Sequence, residues 1–246
     1  MRHPGFLFIL WLAPLAAFAN AVPPMATVGG AQAARAQSAA IQWPHPLSDA
    51  LVTETTPDGK VKQHLDLPVV DGFLHTLSEH ADRYPPQFDN DAERTDASDK
   101  LTHLTAILAG QDTGDKVDLD ILRREAFAYS MSCNMELPEG CSKATLSYRR
   151  LLKRTPDEPG ANYLYGAFLA GMPSRLHEAE GYLKKALKLG VKRANYTLGV
   201  VYLDLNEKQK ALEHLQQYAI DFPDDANAPK LIDAIKNGKL KAGKKP

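Results

Sequence analysis

The distribution of apolar positions changes character along this chain, and each change marks a different kind of segment. From Phe6 to Ala19 nearly every position is apolar. Further on, Leu51-Val52-Thr53-Glu54-Thr55-Thr56 and Val61-Lys62-Gln63-His64-Leu65-Asp66 flank Pro57-Asp58-Gly59-Lys60. Threonine and valine favour strands and Pro-Asp-Gly is turn chemistry, so a small β-hairpin is expected at 51–66. Two strands alone are marginal in water, so this hairpin is expected to pack on something. From Leu67 the spacing becomes helical. Val69, Phe73, Leu74 and Leu77 share one face of a helix expected over 68–83, which Pro85-Pro86 ends. Leu101, Leu104 and Leu108 do the same for a helix over 92–109, closed by Gly110. A polar turn from Gln111 to Lys116 leads into a helix that begins near Asp118.

Beyond it one phrase occurs twice. Ala161-Asn162-Tyr163-Leu164-Tyr165-Gly166 returns as Ala194-Asn195-Tyr196-Thr197-Leu198-Gly199, roughly 33 residues later. Each copy leads to a second amphipathic run, with Ala179, Leu183 and Ala186 in the first and Ala211, Leu215 and Tyr218 in the second. A fainter third copy precedes them: Ala144, Tyr148, Leu151 and Pro156 keep the second-helix spacing, and Ser132 stands where the others have glycine. Small residues thus face small residues in three expected helix pairs, Ser132 with Ala144, Gly166 with Ala179 and Gly199 with Ala211. Glycine inside a helix costs about 1 kcal/mol relative to alanine, which makes sense where two helices cross too closely for a side chain.

Leu198-Gly199, Tyr202, Ala211, Leu215 and Pro223 follow the spacing of a tetratricopeptide repeat, and the chain resembles that family over residues 125–225. The copy at 159–191 has one extra residue in its turn (Met172 to Arg175) and no closing proline; Gly190 ends its second helix instead, a short link also similar to Sel-type repeats. The resemblance implies an all-α, right-handed solenoid of helical hairpins, with about three repeats at 125–158, 159–191 and 192–225 inside a repeat region 116–225. Residues 47–115 are expected to form an N-terminal helical cap carrying the hairpin. A C-terminal capping helix is expected at 226–238, where Leu231, Ile232 and Ile235 would cover the last repeat, before a basic tail at 239–246.

Met1 to Ala21 has the layout of a secretory signal peptide: Arg2 and His3, the apolar run, then Ala19-Asn20-Ala21, with Ala17-Phe18-Ala19 as the alternative cleavage site. The run is shorter than the roughly 20 residues a membrane span needs. No integral membrane segment is expected in the mature chain, which would be exported, and periplasmic in a Gram-negative source. Residues 22–46, rich in Ala, Gly and Pro, are expected to be a disordered linker. The 246 residues are 44% hydrophobic with a formal charge of -1, which argues against nucleic acid as a partner.

The two cysteines, Cys133 and Cys141, flank the turn of the first repeat, and an even count in an exported chain favours a disulfide. The alternative, a thiol metal site, lacks a nearby histidine. His75 and His80 stand about 140° apart on a helix and miss the HExxH spacing of zinc proteases. Asp89-Asn90-Asp91 and Asp112, Asp115 and Asp118 do not extend into an EF-hand loop; helix capping accounts for them. Phosphate loops, dinucleotide fingerprints and nucleophile elbows are absent from the sequence, so catalytic residues, metal ligands and cofactors are all expected to be none. In tetratricopeptide repeats one phase of each first helix faces a concave groove. The resemblance implies partner-binding roles for Tyr129, Tyr163 and Tyr196, with Ala167, Val200 and Leu203 on the wall and Arg193 and Asp204 adding charge. The same tyrosines would otherwise pack between neighbouring helices.

The functional expectation is therefore a scaffold or adaptor that binds a protein or peptide partner. An inhibitor or immunity-type binder of one dedicated target is an alternative, and an envelope enzyme with a site in the N-terminal helical region is a second one. Export is directly testable: N-terminal sequencing of the protein from its native host is expected to start at or near Val22. A membrane-embedded chain that retains Met1 would contradict this.

Overall fold

In the computed structural model, which describes residues 40–112 and 114–239, capping side chains set the starts of the first three helices. α1 (Leu67–Ala81) follows Asp66, whose carboxylate accepts from the Val69 amide at 3.1 Å. α2 (Asp91–Gly110) follows Asn90, which accepts from the Glu93 amide at 2.9 Å. α3 (Leu119–Asn134) follows Asp118, which accepts from the Asp120 amide at 2.7 Å, while Asp112 accepts from the Gly114 amide at 2.8 Å. Each such bond satisfies an amide that the helix or turn itself leaves open. The expected signal peptide (1–21), most of the expected linker and most of the basic tail lie outside the described residues. Among the described residues no helix is long and apolar enough to cross a membrane. These residues are mostly helical and form two compact units that divide between Ala144 and Thr145, inside α4 (Gly140–Arg154).

In the unit before the division, α1, α2 and α3 enclose a core that includes Phe73, Leu77, Leu101, Leu104, Leu108 and Leu122, all 0% exposed. Arg124 on α3 clamps Asp71 on α1 in bidentate fashion, Nε at 2.7 Å and Nη2 at 2.8 Å. At the far end of the pair Asn134 Nδ2 donates to the Ala81 carbonyl at 2.9 Å. The expected linker to Pro46 ends too late: Trp43 stacks on Phe73 with ring centroids 5.4 Å apart, and its Nε1 donates to Asp96 at 2.7 Å. Beside it Pro44 lies over Gly72, where an added Cβ would stand 3.0 Å from the proline ring. A lone aromatic in a proline-flanked segment has no periodicity to betray it, yet here it covers the apolar side of α1. The strands β1 (Leu51–Thr55) and β2 (Val61–Leu65) pair antiparallel, Leu51 opposite Leu65 and Thr55 opposite Val61. Contrary to expectation, this hairpin packs on little: of its strand residues only Leu51, Val52 and Leu65 are partly covered. Across the α3–α4 turn Cys133 and Cys141 are disulfide-bonded, with Cα atoms 4.5 Å apart. Gly140 opens α4 against that turn, and a Cβ there would fall 2.6 Å from the Cys133 nitrogen.

After the division, α4 ends and two helical hairpins follow: α5 (Pro159–Ala170) with α6 (Leu176–Lys188), and α7 (Ala194–Asp204) with α8 (Lys208–Asp221). The extra residue of the α5–α6 link is taken up by a 3-10 turn, Pro173–Arg175. Gly190 takes φ +95° after α6, and the Val191 amide returns to the Ala186 carbonyl at 2.9 Å. This is a left-handed close that glycine adopts without strain. The two repeat glycines sit at the hairpin contacts, but their nearest neighbours are leucines rather than the expected alanines. A Cβ on Gly166 would stand 2.8 Å from Leu183 Cγ, and one on Gly199 2.6 Å from Leu215 Cγ. Ala211 contributes its carbonyl oxygen, 3.3 Å away. The alanine sets how near the backbones come, and the leucine one turn later fills the space over the glycine. α9 (Asn227–Lys236) closes the unit, burying Ala228 and Ile235 against Tyr196, Val200, Leu215 and Tyr218.

Two glycines in this unit should respond oppositely to the same substitution. Gly199→Ala is expected to destabilise by about 1–2 kcal/mol, overpacking at Leu215 outweighing the helix-propensity gain. Gly181→Ala, in α6 with nothing within 4 Å of an added Cβ, is expected to stabilise by roughly 0.5–1 kcal/mol. Thermal melts of the two variants read the difference.

Candidate functional site

The residues expected to face a partner form a stripe on α7. Arg193, Tyr196, Val200, Leu203 and Asp204 follow one another at helical spacing, which puts them on one face. The middle of the stripe is core. Tyr196 and Val200 are each 6% exposed and, with the half-buried Leu203, pack against Tyr218, Ile235, Leu231 and Ile232. Tyr196 also meets the Tyr218 ring at 5.2 Å. On α5, Tyr163 and Ala167 are similarly covered, at 6% and 7%. Tyr129 belongs to the other unit, 7% exposed, with Lys143 Nζ 5.5 Å above its ring. The tyrosines are therefore packing residues rather than the projecting anchors expected of them. A rigid aromatic beside a neighbouring helix loses its exposed face to that neighbour, and the helical phase alone does not reveal this.

What stays available is charge at the two ends. Arg193, directly before α7, lays its guanidinium 5.0 Å from the Phe222 ring centroid and has no carboxylate partner among the described residues. Asp204 is the last residue of α7, half-buried, with neither a hydrogen bond nor an ion pair among the described residues. Burial pushes its carboxyl up to about 6. The two lie about 16 Å apart along the helix axis, eleven residues at 1.5 Å each. Both stand at the end where the helix dipole opposes them, the cation at the amide end and the acid at the carbonyl end. Folding alone would favour neither placement.

Several other charges in the unit are paired. An open depression of about 590 Å³ beside α8 is lined by Gly190, Lys192, Asn195, His214, Gln217 and Asp221 among others. There Lys192 Nζ meets Asp221 at 2.9 Å, and His214 Nδ1 donates to Asn195 Oδ1 at 2.8 Å. Burial holds that imidazole below its usual range. Glu180 is held down at about 2 by Lys184 and by the Tyr202 hydroxyl, which donates to it at 2.8 Å. At the α8–α9 link Tyr218 donates to Asp225 at 2.6 Å. This pairing of core tyrosine and acid has one sequence signal, an Asp just past Pro223.

In the first unit, where an enzyme site would have to assemble, Asp82 is the unusual acid. Its side chain is 3% exposed, its Oδ1 accepts no hydrogen bond, and Arg83 Nε lies 3.4 Å away. Burial outweighs that guanidinium and pushes its carboxyl up to about 6. Nothing in the apolar pattern marks it, because it falls just past the end of α1. His75 faces solvent beside Glu79 at 3.8 Å, and no group of three or more His, Cys, Asp or Glu among the described residues is placed to hold a metal. No protein-family model matches the chain, and no curated protein matches it by sequence.

The Asp204 environment makes a signed pH prediction. The folded state keeps this proton up to about 6, whereas the unfolded chain loses it near the ordinary aspartate value of 3.8. Stability from this group therefore falls as pH rises from about 4 to 6 and stays low above. Asp204→Asn is expected to stabilise by about 1 kcal/mol at pH 7.5, and the gain is expected to vanish near pH 4. Melting the wild type and the variant in parallel across that range checks it.

Proposed function

We propose that this chain is an exported scaffold built from tetratricopeptide-type repeats, a right-handed solenoid of about three, that binds a protein or peptide partner through the charges at the two ends of α7. The doubled phrase and the glycine-to-leucine contacts in both hairpins support the repeat reading. The apolar run and small residues near Ala21 support export, to the periplasm in a Gram-negative source. The observation that carries the binding role is the pair Arg193 and Asp204, two charges without ionic partners on one helix face, each at the end that disfavours it. Such placement lowers the stability of the free protein and leaves both groups ready for opposite charges on a partner. The partner that fits carries an acidic group and a basic group about 16 Å apart, the separation set by α7.

Affinity capture with the full chain from the exported fraction of its host, followed by mass spectrometry, identifies the partner. Asp204→Asn and Arg193→Gln are then each expected to weaken its binding by about tenfold, some 1.4 kcal/mol. Their melting temperatures should hold or rise. A packing residue would show the reverse, lower stability with affinity following it. Folded variants with unchanged affinity would refute the role of the stripe.

A further inference from the structure

The exposed hairpin has one pair of edges bonded together and another pair turned outward. The Asp66 amide donates to the Ala50 carbonyl at 3.1 Å, and the Thr56 amide to the Lys60 carbonyl at 2.8 Å. With the observed register, that parity makes Val52–His64 and Glu54–Lys62 the bonded pairs between them. The amides of Thr53 and Thr55 on β1 and of Val61, Gln63 and Leu65 on β2 therefore point away from the hairpin. The Leu51 amide is used locally by the Ser48 carbonyl, but the Leu51 carbonyl points outward as well. β1 carries no lysine, proline or bulge, the usual guards of an open edge. Two strands with so little packed on them fall short of the three or more that stable sheets need.

We infer that the outer edge of β1 pairs antiparallel with β1 of a second copy of this chain, forming a weak symmetric dimer around a four-stranded sheet. A two-fold axis at Thr53 sets each Thr53 opposite its counterpart and each Leu51 opposite the other copy's Thr55. Four hydrogen bonds result: each Thr53 amide to the other Thr53 carbonyl, and each Thr55 amide to the other Leu51 carbonyl. On one sheet face Leu51, Thr53 and Thr55 of both copies join Leu65, Gln63 and Val61 in a surface without charge, which includes Val61, 66% exposed in the single chain. On the other face Val52 stands directly opposite Glu54, and the two Glu54 side chains are diagonal neighbours rather than opposite ones. β2, by contrast, carries Lys62, one of those guards. The lysine on β2 leaves β1 as the less guarded edge, and a symmetric partner satisfies every outward group of Thr53.

The test is the solution mass of the full chain by analytical ultracentrifugation between about 10 µM and 1 mM, a range suited to a small interface. The mass is expected to climb toward twice that of the monomer. Thr53→Pro removes an amide the hairpin itself does not use, and should hold the chain monomeric. Gln63→Pro is the matched control on the other edge, since both variants lose the Gln63–Thr53 side-chain bond at 3.3 Å; it should dimerise as the wild type does. Residue-resolved amide exchange on the unmodified chain covers the case in which a proline melts the hairpin. Thr53 and Thr55 should slow with rising concentration while Val61 and Gln63 do not. A monomer mass throughout, a dimer that survives Thr53→Pro, equal loss with Gln63→Pro, or slowing on the β2 side would each overturn the inference. Exchange at Thr53 and Thr55 that slows only when other exported proteins are added would assign the edge to a foreign strand, and would overturn it too.

Discussion

The closeness of paired helices at Gly166 and Gly199 is the constraint on which the second unit depends. A single carbon added at either glycine would stand within 2.8 Å of a leucine side-chain carbon. Close-packed interiors absorb such intrusions poorly, so each helical hairpin has one permitted spacing. That spacing brings Leu183 and Leu215 over the glycines at 0% exposure, and Ala179 and Ala211 are buried with them. Once the hairpins are fixed, the faces they leave to the next helix are fixed as well.

Aromatic side chains occupy those faces. Tyr148, Tyr165, Phe168 and Tyr182 form one group, with successive centroids 4.7–6.3 Å apart, and the Arg175 guanidinium donates to the Tyr165 hydroxyl at 3.0 Å. Tyr196, Tyr218 and Phe222 form a second group near α9. Each buried phenol needs a partner for its polar tip, and Asp225 supplies one for Tyr218. Burial and that carboxylate together push the Tyr218 phenol well above its ordinary value. The hydroxyl therefore stays a donor beyond the pH at which an exposed tyrosine would lose its proton.

The α7 ends differ from the paired charges nearby. Lys192, Lys184 and Arg175 each lie within ion-pair distance of an acid, whereas Arg193 has only an aromatic ring and Asp204 has neither hydrogen bond nor ion pair among the described residues. Burial explains why the Asp204 carboxyl holds its proton so long, but not why an acid occupies that position. A structural role would be served better by asparagine. The contrast between a more stable alternative and the charge present is the physical basis for reading Asp204 as a binding group.

Much of the architecture was legible along the chain because it rests on local rules. Helical spacing placed α1, α2 and α9 to within two residues, and turn chemistry placed the hairpin. Capping groups placed helix starts, because an Asp or Asn side chain meets amides only a few residues away. The doubled phrase marked both glycine contacts for the same reason: a helix period is written in neighbouring residues. What the tertiary structure alone decided depends on residues far apart in sequence. Trp43 finds Phe73 and Asp96, Asn134 finds Ala81, and Leu215 rather than Ala211 fills the space over Gly199. Whether Tyr196 projects or packs was settled by α9, some thirty residues later, and the isolation of Asp204 by the lack of any partner that the fold brings to it. The sequence determines which face of each helix is apolar; only the assembled neighbours determine how much of that face water still reaches.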